Sequence, residues 1–205
     1  LGTSMNVTDH ATKHQQRMQK VKQLVDKKIA QANQERGIIV LLTGNGKGKS
    51  SSAFGMLARS LGHQKQCGVV QFIKGCWECG EQLFFSNLPG VHFHAMGNGF
   101  TWETQNIEQD RKAAQAAWKQ SHKMLTDSRY GLVILDEMTY MFRQNLLDIS
   151  EVTTTLQNRP YHMNVVITGR GAIKQLVTIA DTVSEVKEIK HAFHSGIKAQ
   201  QGIEF

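Results

Sequence analysis

The sequence predicts an α/β fold: a mostly parallel central sheet of about six strands flanked by helices, with an amphipathic helical arm at the N-terminus. Three observations carry this. Short apolar runs alternate with segments of helical periodicity. The runs Ile38-Ile39-Val40-Leu41-Leu42 and Leu132-Val133-Ile134-Leu135 are apolar without a break, as strands buried on both faces are. The only two prolines, Pro89 and Pro160, fall between periodic segments. Such alternation implies right-handed crossovers and a parallel sheet.

The elements follow in order. Residues 9–35 read as a helix, because Val21, Leu24, Val25, Ile29 and Ala32 recur at helical spacing with Lys20, Lys22, Lys27 and Lys28 interleaved. The first strand is the run from Ile38 to Leu42. A glycine-rich loop follows, then a helix marked by Phe54, Leu57, Ala58 and Leu61, with Gly62 as its stop. Gly68 to Ile73 reads as a second strand and Val91 to Met96 as a third. Residues 105–127 look helical, with Ile107, Ala114, Trp118 and Leu125 aligned. After the strand Leu132 to Leu135, Asp148 and Glu151 form a candidate capping box for a helix ending before Pro160. Asn164 to Thr168 is a strand, Ile173, Leu176, Val177 and Ala180 mark a helix, and Val183 to Ile189 reads as the last strand.

Bulk properties narrow the function. A chain of 205 residues, 40% hydrophobic and 20% charged, suits one globular domain with a sizeable core. No apolar run approaches the ~18 residues of a membrane span, and no secretory signal is visible, so no membrane partner is expected. Residues 1–4, ahead of Met5, read as an expression remnant, 5–36 as the arm and 37–205 as the catalytic domain. Three cysteines do not make a disulfide framework, which points to a reducing cytoplasm. The net charge is +7, and residues 1–36 alone carry seven Lys/Arg against three Asp/Glu. A basic arm on a nearly balanced domain suits phosphate ligands as well as nucleic acid.

The chemistry lies after the strands, where ligands of parallel sheets collect. Strand, glycine loop and helix together are the context of a phosphate-binding P-loop, so the fold is expected to be P-loop NTPase-like. The loop is Gly44-Asn45-Gly46-Lys47-Gly48-Lys49-Ser50-Ser51. Its glycines let successive N–H groups point inward, at a helix N-terminus whose dipole favours anions. Lys49 would reach the phosphates and Ser50 would offer its hydroxyl to Mg²⁺. The pattern departs from Walker A: the position six before Lys49 is Thr43, and the first glycine comes one residue late. The motif alone leaves the direction of the nucleotide open. Asp136-Glu137, ending a buried strand, could serve Mg²⁺ or merely cap the strand end. Arg170, in Thr168-Gly169-Arg170-Gly171, could pair with a phosphate or with a surface carboxylate. Arg59, on the loop's own helix, could meet phosphate or lie on a solvated face. In Gly97-Asn98-Gly99-Phe100-Thr101-Trp102-Glu103-Thr104, two large aromatics sit two residues apart, either tucked into the core or serving a ligand.

Taken together and in order, GNGKGKSS, VVQFIKG, GFTWETQN, LDEMTY, ITGRG and HAFHSGIKAQQGI resemble the P-loop class of bacterial ATP:corrinoid adenosyltransferases. The resemblance runs from about Val21 to the C-terminus. It implies transfer of the 5′-deoxyadenosyl group of ATP to the cobalt of a reduced corrinoid, releasing triphosphate. It also implies ATP lying in the reverse of the usual P-loop direction, with the loop amides holding the triphosphate; the candidate ATP-binding residues are Gly44, Asn45, Gly46, Lys47, Gly48, Lys49, Ser50 and Ser51, with Arg59 and Arg170. Ser50, where the family usually has threonine, and Glu137 match its Mg²⁺ positions, with Asp136 behind them. Phe100 and Trp102 match the aromatic pair that displaces the lower axial base of cob(II)alamin. An axial donor raises the orbital that accepts the electron, so its removal in a dry pocket eases reduction to Co(I). A homodimer, a reduced flavoprotein as electron donor and an arm folding over the corrinoid are implied as well. Nucleic acid is not expected as a partner, although an ATPase acting on it is the alternative that the basic arm and Asp136-Glu137 suggest. A corrinoid carrier without catalysis is a second alternative.

Three further signals are discounted. Cys76-Trp77-Glu78-Cys79 is a lone C-x-x-C with no clear helix start. His92 and His94 share a strand face, which half-buried strand residues do without binding metal. His191 and His194 belong to the matching tail and have no physical role in this reading.

Overall fold

The computed structural model describes residues 5–73, 79–96 and 106–204. Two units meet between Glu35 and Arg36. The first holds one long helix, α1 (Met5–Gln31), which starts earlier and stops sooner than the periodicity suggests.

The second unit alternates β1 (Ile39–Thr43), α2 (Lys49–Gly62), β2 (Gln66–Gln71), α3 (Gly80–Phe85), β3 (Val91–Ala95), α4 (Ile107–Leu125), β4 (Tyr130–Asp136), α5 (Thr139–Arg143), α6 (Ile149–Gln157), β5 (Asn164–Thr168), α7 (Lys174–Ile179) and β6 (Thr182–Glu185), then a 3₁₀ turn at Ala192–Ser195. The strands form one sheet in the order β3-β2-β4-β5-β1-β6. Every pair is parallel, so the sheet is parallel throughout and not mostly so. The ends of β4, β5 and β1 are therefore neighbours, and those three strands carry Asp136, Thr168 and the glycine loop.

The core has two layers because side chains of a strand alternate between faces. On β4, Leu132 and Ile134 pack with Phe54 and Leu57 of α2 and Phe85 of α3. Val133 and Leu135 face the opposite way, toward Trp118 and Leu125 of α4 and Leu156 of α6. Phe54 stacks on Phe85 with ring centroids 5.7 Å apart, which locks α3 onto α2. At the base of the sheet, Asp181 pairs with the Arg36 guanidinium and accepts the Ile39 N–H at 2.9 Å. That pairing joins the start of β1 to the start of β6.

Several boundaries differ from the sequence expectation for identifiable reasons. Gly62 is the last residue of α2, but the left-handed turn falls on Gln64 (φ 56°). Asp148 does cap α6, accepting the Ser150 N–H at 2.8 Å. Glu151 does not complete a capping box; its carboxylate accepts the Trp118 indole N–H at 2.7 Å, because a buried indole needs a partner. Ile107 and Val177, aligned at helical spacing with buried neighbours, are themselves exposed. The last strand is only four residues, exposed throughout, because it lies on the sheet edge and pairs with β1 alone. The short helices α3 and α5 have too few turns to show periodicity. Among the described residues no helix is long and apolar enough to cross a membrane.

Candidate functional site

The loop leaves β1 under tight constraint. Gly44 has φ 100°, and a Cβ there would lie 2.4 Å from the Val186 carbonyl oxygen, so only glycine fits. The chain beyond β6 thus passes directly against the loop. The Val186 N–H donates to the Thr43 carbonyl (2.8 Å) and the Gly46 N–H donates to the Val186 carbonyl (2.8 Å). The Thr43 hydroxyl accepts the Ala172 N–H at 3.3 Å. No side chain caps the N-terminus of α2, and no acidic residue lies in its first turn. Its free N–H groups and positive dipole end face a cavity of about 220 Å³, lined by the loop from Gly46 to Ser51, Glu137 and Arg170, and completed by Glu81, Ile203 and Glu204. Lys49 is only 6% exposed, and its ammonium donates to the Gly46 carbonyl at 2.8 Å. Burial lowers the Lys49 pKa, the negative charge of Glu137 opposes this, and Arg170 adds to it. A phosphate would supply the countercharge that this position lacks.

The carboxylates are arranged by one hydroxyl. Asp136 is 3% exposed, and Thr168 Oγ1 donates to it at 2.7 Å while Gln71 Nε2 donates at 3.2 Å. Burial pushes the Asp136 pKa up, and hydrogen bonding from Thr168 and Gln71, with the Ser50 hydroxyl nearby, opposes it. The same Thr168 hydroxyl accepts the Glu137 N–H at 2.9 Å. That bond holds Glu137 at φ 56°, a left-handed conformation costly for a side chain of this size. Glu137 Oε2 is buried without a hydrogen-bond partner. Its pKa is pushed up to about 7, chiefly by burial and then by Asp136, against the pull of Lys49 and Arg170. A desolvated, unpartnered carboxylate oxygen in a cavity it shares with the Ser50 hydroxyl fits a divalent cation with oxygen ligands. Among the described residues no group of three His, Cys, Asp or Glu is placed to hold a metal, so phosphate oxygens and water would complete its shell.

Arg170 is placed by a glycine. Gly169 has φ 142°, and a Cβ there would come within 2.1 Å of Thr139 Oγ1. That hydroxyl donates to the Arg170 carbonyl at 2.8 Å, tying the turn after β5 to the start of α5. The exposed Arg170 makes no ion pair among the described residues, so its guanidinium is available to the cavity it lines.

The family described as ATP:corrinoid adenosyltransferase BtuR/CobO/CobP matches residues 35–205. The chain belongs to this family. Residues 3–29 match a second description, Cob(I)alamin adenosyltransferase N terminal. A corrinoid adenosyltransferase of Salmonella typhimurium is 51% identical over 193 residues, covering 94% of this chain and 98% of its own. One from Pseudomonas aeruginosa is 51% identical, covering 94% and 96%. One from Escherichia coli K12 is 49% identical, covering 94% and 98%. As a member of the adenosyltransferase family the protein is a transferase, an enzyme of ATP-dependent corrinoid adenosylation, on a P-loop-like α/β fold.

Not every residue singled out in the adenosyltransferase sequence reaches the cavity. Gly44 and Asn45 do not line it; Gly44 shapes the loop instead. Arg59 sits exposed in the last turn of α2, ten residues and ~15 Å along the helix from Lys49. Phe100 and Trp102, with the loop 97–104, lie outside the described residues, as do Cys76, Trp77 and Glu78. Cys79 is kept as a thiol: burial raises its pKa and its S–H donates to Glu81 Oε2 at 2.8 Å. His92 bonds the Tyr130 hydroxyl at 2.5 Å. His191 accepts the Phe193 N–H (3.1 Å), and His194 pairs with Glu188 (2.8 Å), so both brace the tail. Sequence reasoning missed Thr168 as the hydroxyl that sets both carboxylates, although it stands in the quoted ITGRG. It also missed Glu81 and Glu204, for which no local signal exists.

Proposed function

We propose that the chain transfers the 5′-deoxyadenosyl group of ATP to the Co(I) of a reduced corrinoid and releases inorganic triphosphate. The observation that carries this reading is the cavity at the N-terminus of α2, where unpaired amides, Lys49 and Arg170 meet an unpartnered Glu137 oxygen. It suits a polyanion with a divalent cation. The Co(I) electron pair forms the cobalt–carbon bond at C5′, the C5′–O bond breaks, and its electrons leave on the triphosphate. Co(I) is itself the nucleophile, so no side chain needs to be one. Catalysis is then positioning, with stabilisation of negative charge on the leaving group.

Mg²⁺ would be held by Ser50 and Glu137 and would neutralise charge on the triphosphate. Asp136 would stand behind them, held by Thr168 and Gln71. Phe100 and Trp102 are assigned, by resemblance, to displacing the lower axial base so that cob(II)alamin can be reduced. The electron would come from a reduced flavoprotein, the working unit would be a homodimer, and the free thiols of Cys67 and Cys79 suit the cytoplasm. The family membership does not favour an ATPase acting on nucleic acid. Phosphorus NMR of the products separates the two readings. Intact triphosphate, formed only with reduced corrinoid, is expected; orthophosphate as the main product would overturn the proposal.

A further inference from the structure

Thr168 ends β5, the strand that lies between β4 and β1, so it stands beside Asp136 and beside the strand that carries the loop. Its side chain is fully buried. Oγ1 accepts the Glu137 N–H at 2.9 Å, which leaves the single hydroxyl proton for Asp136 Oδ1, 2.7 Å away. The bonds therefore run in one direction, from the Glu137 N–H through the Thr168 hydroxyl to the Asp136 carboxylate. The other carboxylate oxygen, Oδ2, accepts from Gln71 Nε2 at 3.2 Å. Neither Thr168 nor Asp136 lines the phosphate cavity; Glu137 does.

An aspartate closing a buried strand beside a phosphate loop ordinarily serves the metal ion. Here the residue is almost fully buried, and each of its oxygens faces a protein donor. Its neighbour is what reaches the cavity. Glu137 does so through a left-handed backbone, φ 56°, which a residue with a long side chain adopts only when its surroundings hold it there. The Thr168 hydroxyl supplies that hold at the Glu137 nitrogen, one of the atoms that define the φ torsion. A relaxed Glu137 would carry its Oε2, buried and unpartnered, away from the Ser50 hydroxyl with which it shares the cavity.

We infer that Thr168 is the positioning residue of the cation site, and that Asp136 acts on the cation only through it, as the acceptor that fixes the hydroxyl. This rests on reading Ser50 and Glu137 as the Mg²⁺-binding pair. A hydroxyl is the group the position needs, because it must accept from an amide and donate to a carboxylate at one place. Serine can do both, and valine, of the same shape as threonine, can do neither. Valine would also leave Asp136 Oδ1 and the Glu137 N–H facing a methyl group.

Calorimetric titration with inorganic tripolyphosphate, in EDTA and in Mg²⁺, tests the assignment without turnover. Loss of a residue that orients a metal ligand typically costs about 10- to 100-fold in metal affinity. Thr168→Val should therefore lower the gain in affinity that Mg²⁺ gives by at least ~10-fold, while affinity in EDTA, set by the loop amides and Lys49, stays unchanged. Thr168→Ser should keep the wild-type response to Mg²⁺. Added to Glu137→Ala, Thr168→Val should cost nothing further, because the oxygen it positions is already gone. Should the valine variant not fold, Thr168→Cys, with a weakly bonding thiol, takes its place and should show the same Mg²⁺-specific loss. Equal weakening with and without Mg²⁺, a serine variant as impaired as the valine one, or additive losses in the double variant would each overturn the inference. A wild-type chain that binds tripolyphosphate equally in EDTA and in Mg²⁺ would instead overturn the cation assignment beneath it.

Discussion

Glu137→Gln should make the metal-free protein more stable above about pH 4.5, and increasingly so up to about pH 7. In the folded chain the Glu137 carboxyl is raised from 4.5 to about 7. The folded state therefore binds the proton more tightly than the unfolded state. Stability is full below pH 4.5 and falls as pH rises toward 7. The interval from 4.5 to about 7 amounts to ~3 kcal/mol at 1.36 kcal/mol per unit. Glutamine mimics the protonated carboxyl and avoids the loss. In a domain of this size 1 kcal/mol moves Tm by ~2–4 °C, so in EDTA at pH 8.5 the variant should melt roughly 6–12 °C above wild type. At pH 4 the two should coincide. Mg²⁺ and tripolyphosphate together should close the gap at pH 8.5 by stabilising wild type preferentially. The assay is a thermal melt across pH, with and without chelator. A Tm difference that does not depend on pH would refute the account of a desolvated carboxylate at this position.

Three other outcomes follow from the geometry. Lys49→Ala removes a buried ammonium from the lining of the cavity at the start of α2, so tripolyphosphate affinity should fall by ~10- to 100-fold, the 1.5–3 kcal/mol of a hydrogen bond to a charged group; unchanged affinity would remove Lys49 from the site. Gly169→Ala forces a Cβ to within 2.1 Å of Thr139 Oγ1 at φ 142°, which should cost ~2–4 kcal/mol in urea unfolding; a cost under ~0.5 kcal/mol would show that the turn can shift freely. Trp102→Ala should impair turnover from Co(II) corrinoid far more than turnover from pre-reduced Co(I), with ATP binding retained; equal losses would end the assignment of Trp102 to the reduction step.

The central strands were legible because they are buried on both faces. Ile39 to Leu42 and Leu132 to Leu135 have no polar residue to interrupt them, and that continuity is a local property. The phosphate loop was legible for a similar reason, since a tight turn needs glycines at fixed offsets. Less visible was everything that depends on partners far along the chain. Glu151 turned from capping partner to indole acceptor because Trp118, thirty-three residues earlier, supplies a buried N–H. Thr168 reads as the end of a β-strand; only the adjacency of β4 and β5 makes its hydroxyl the hinge between Asp136 and Glu137. Glu204 reaches the loop through a turn closed by its own carboxylate, a contact that no periodicity encodes.

The one-residue departure from Walker A now has a physical cause. Thr43 stands where that motif has its first glycine, and its main chain and hydroxyl both hold neighbouring segments: the carbonyl takes the Val186 N–H and Oγ1 takes the Ala172 N–H. A glycine at this position would lose the second of those bonds. The following residue must then be glycine, because Val186 crosses at 2.4 Å from where its Cβ would be. The same crossing consumes the Gly46 N–H, so the first half of the loop is committed to the protein. Amides from Gly48 onward, backed by the dipole of α2, are what remain for an anion. These lie with Ser50, Glu137 and Arg170, in the cavity that shares Glu81 and Glu204 with the α3 side. A loop tied down next to β6 thus keeps only its second half, at the positive end of α2, free to meet a polyanion.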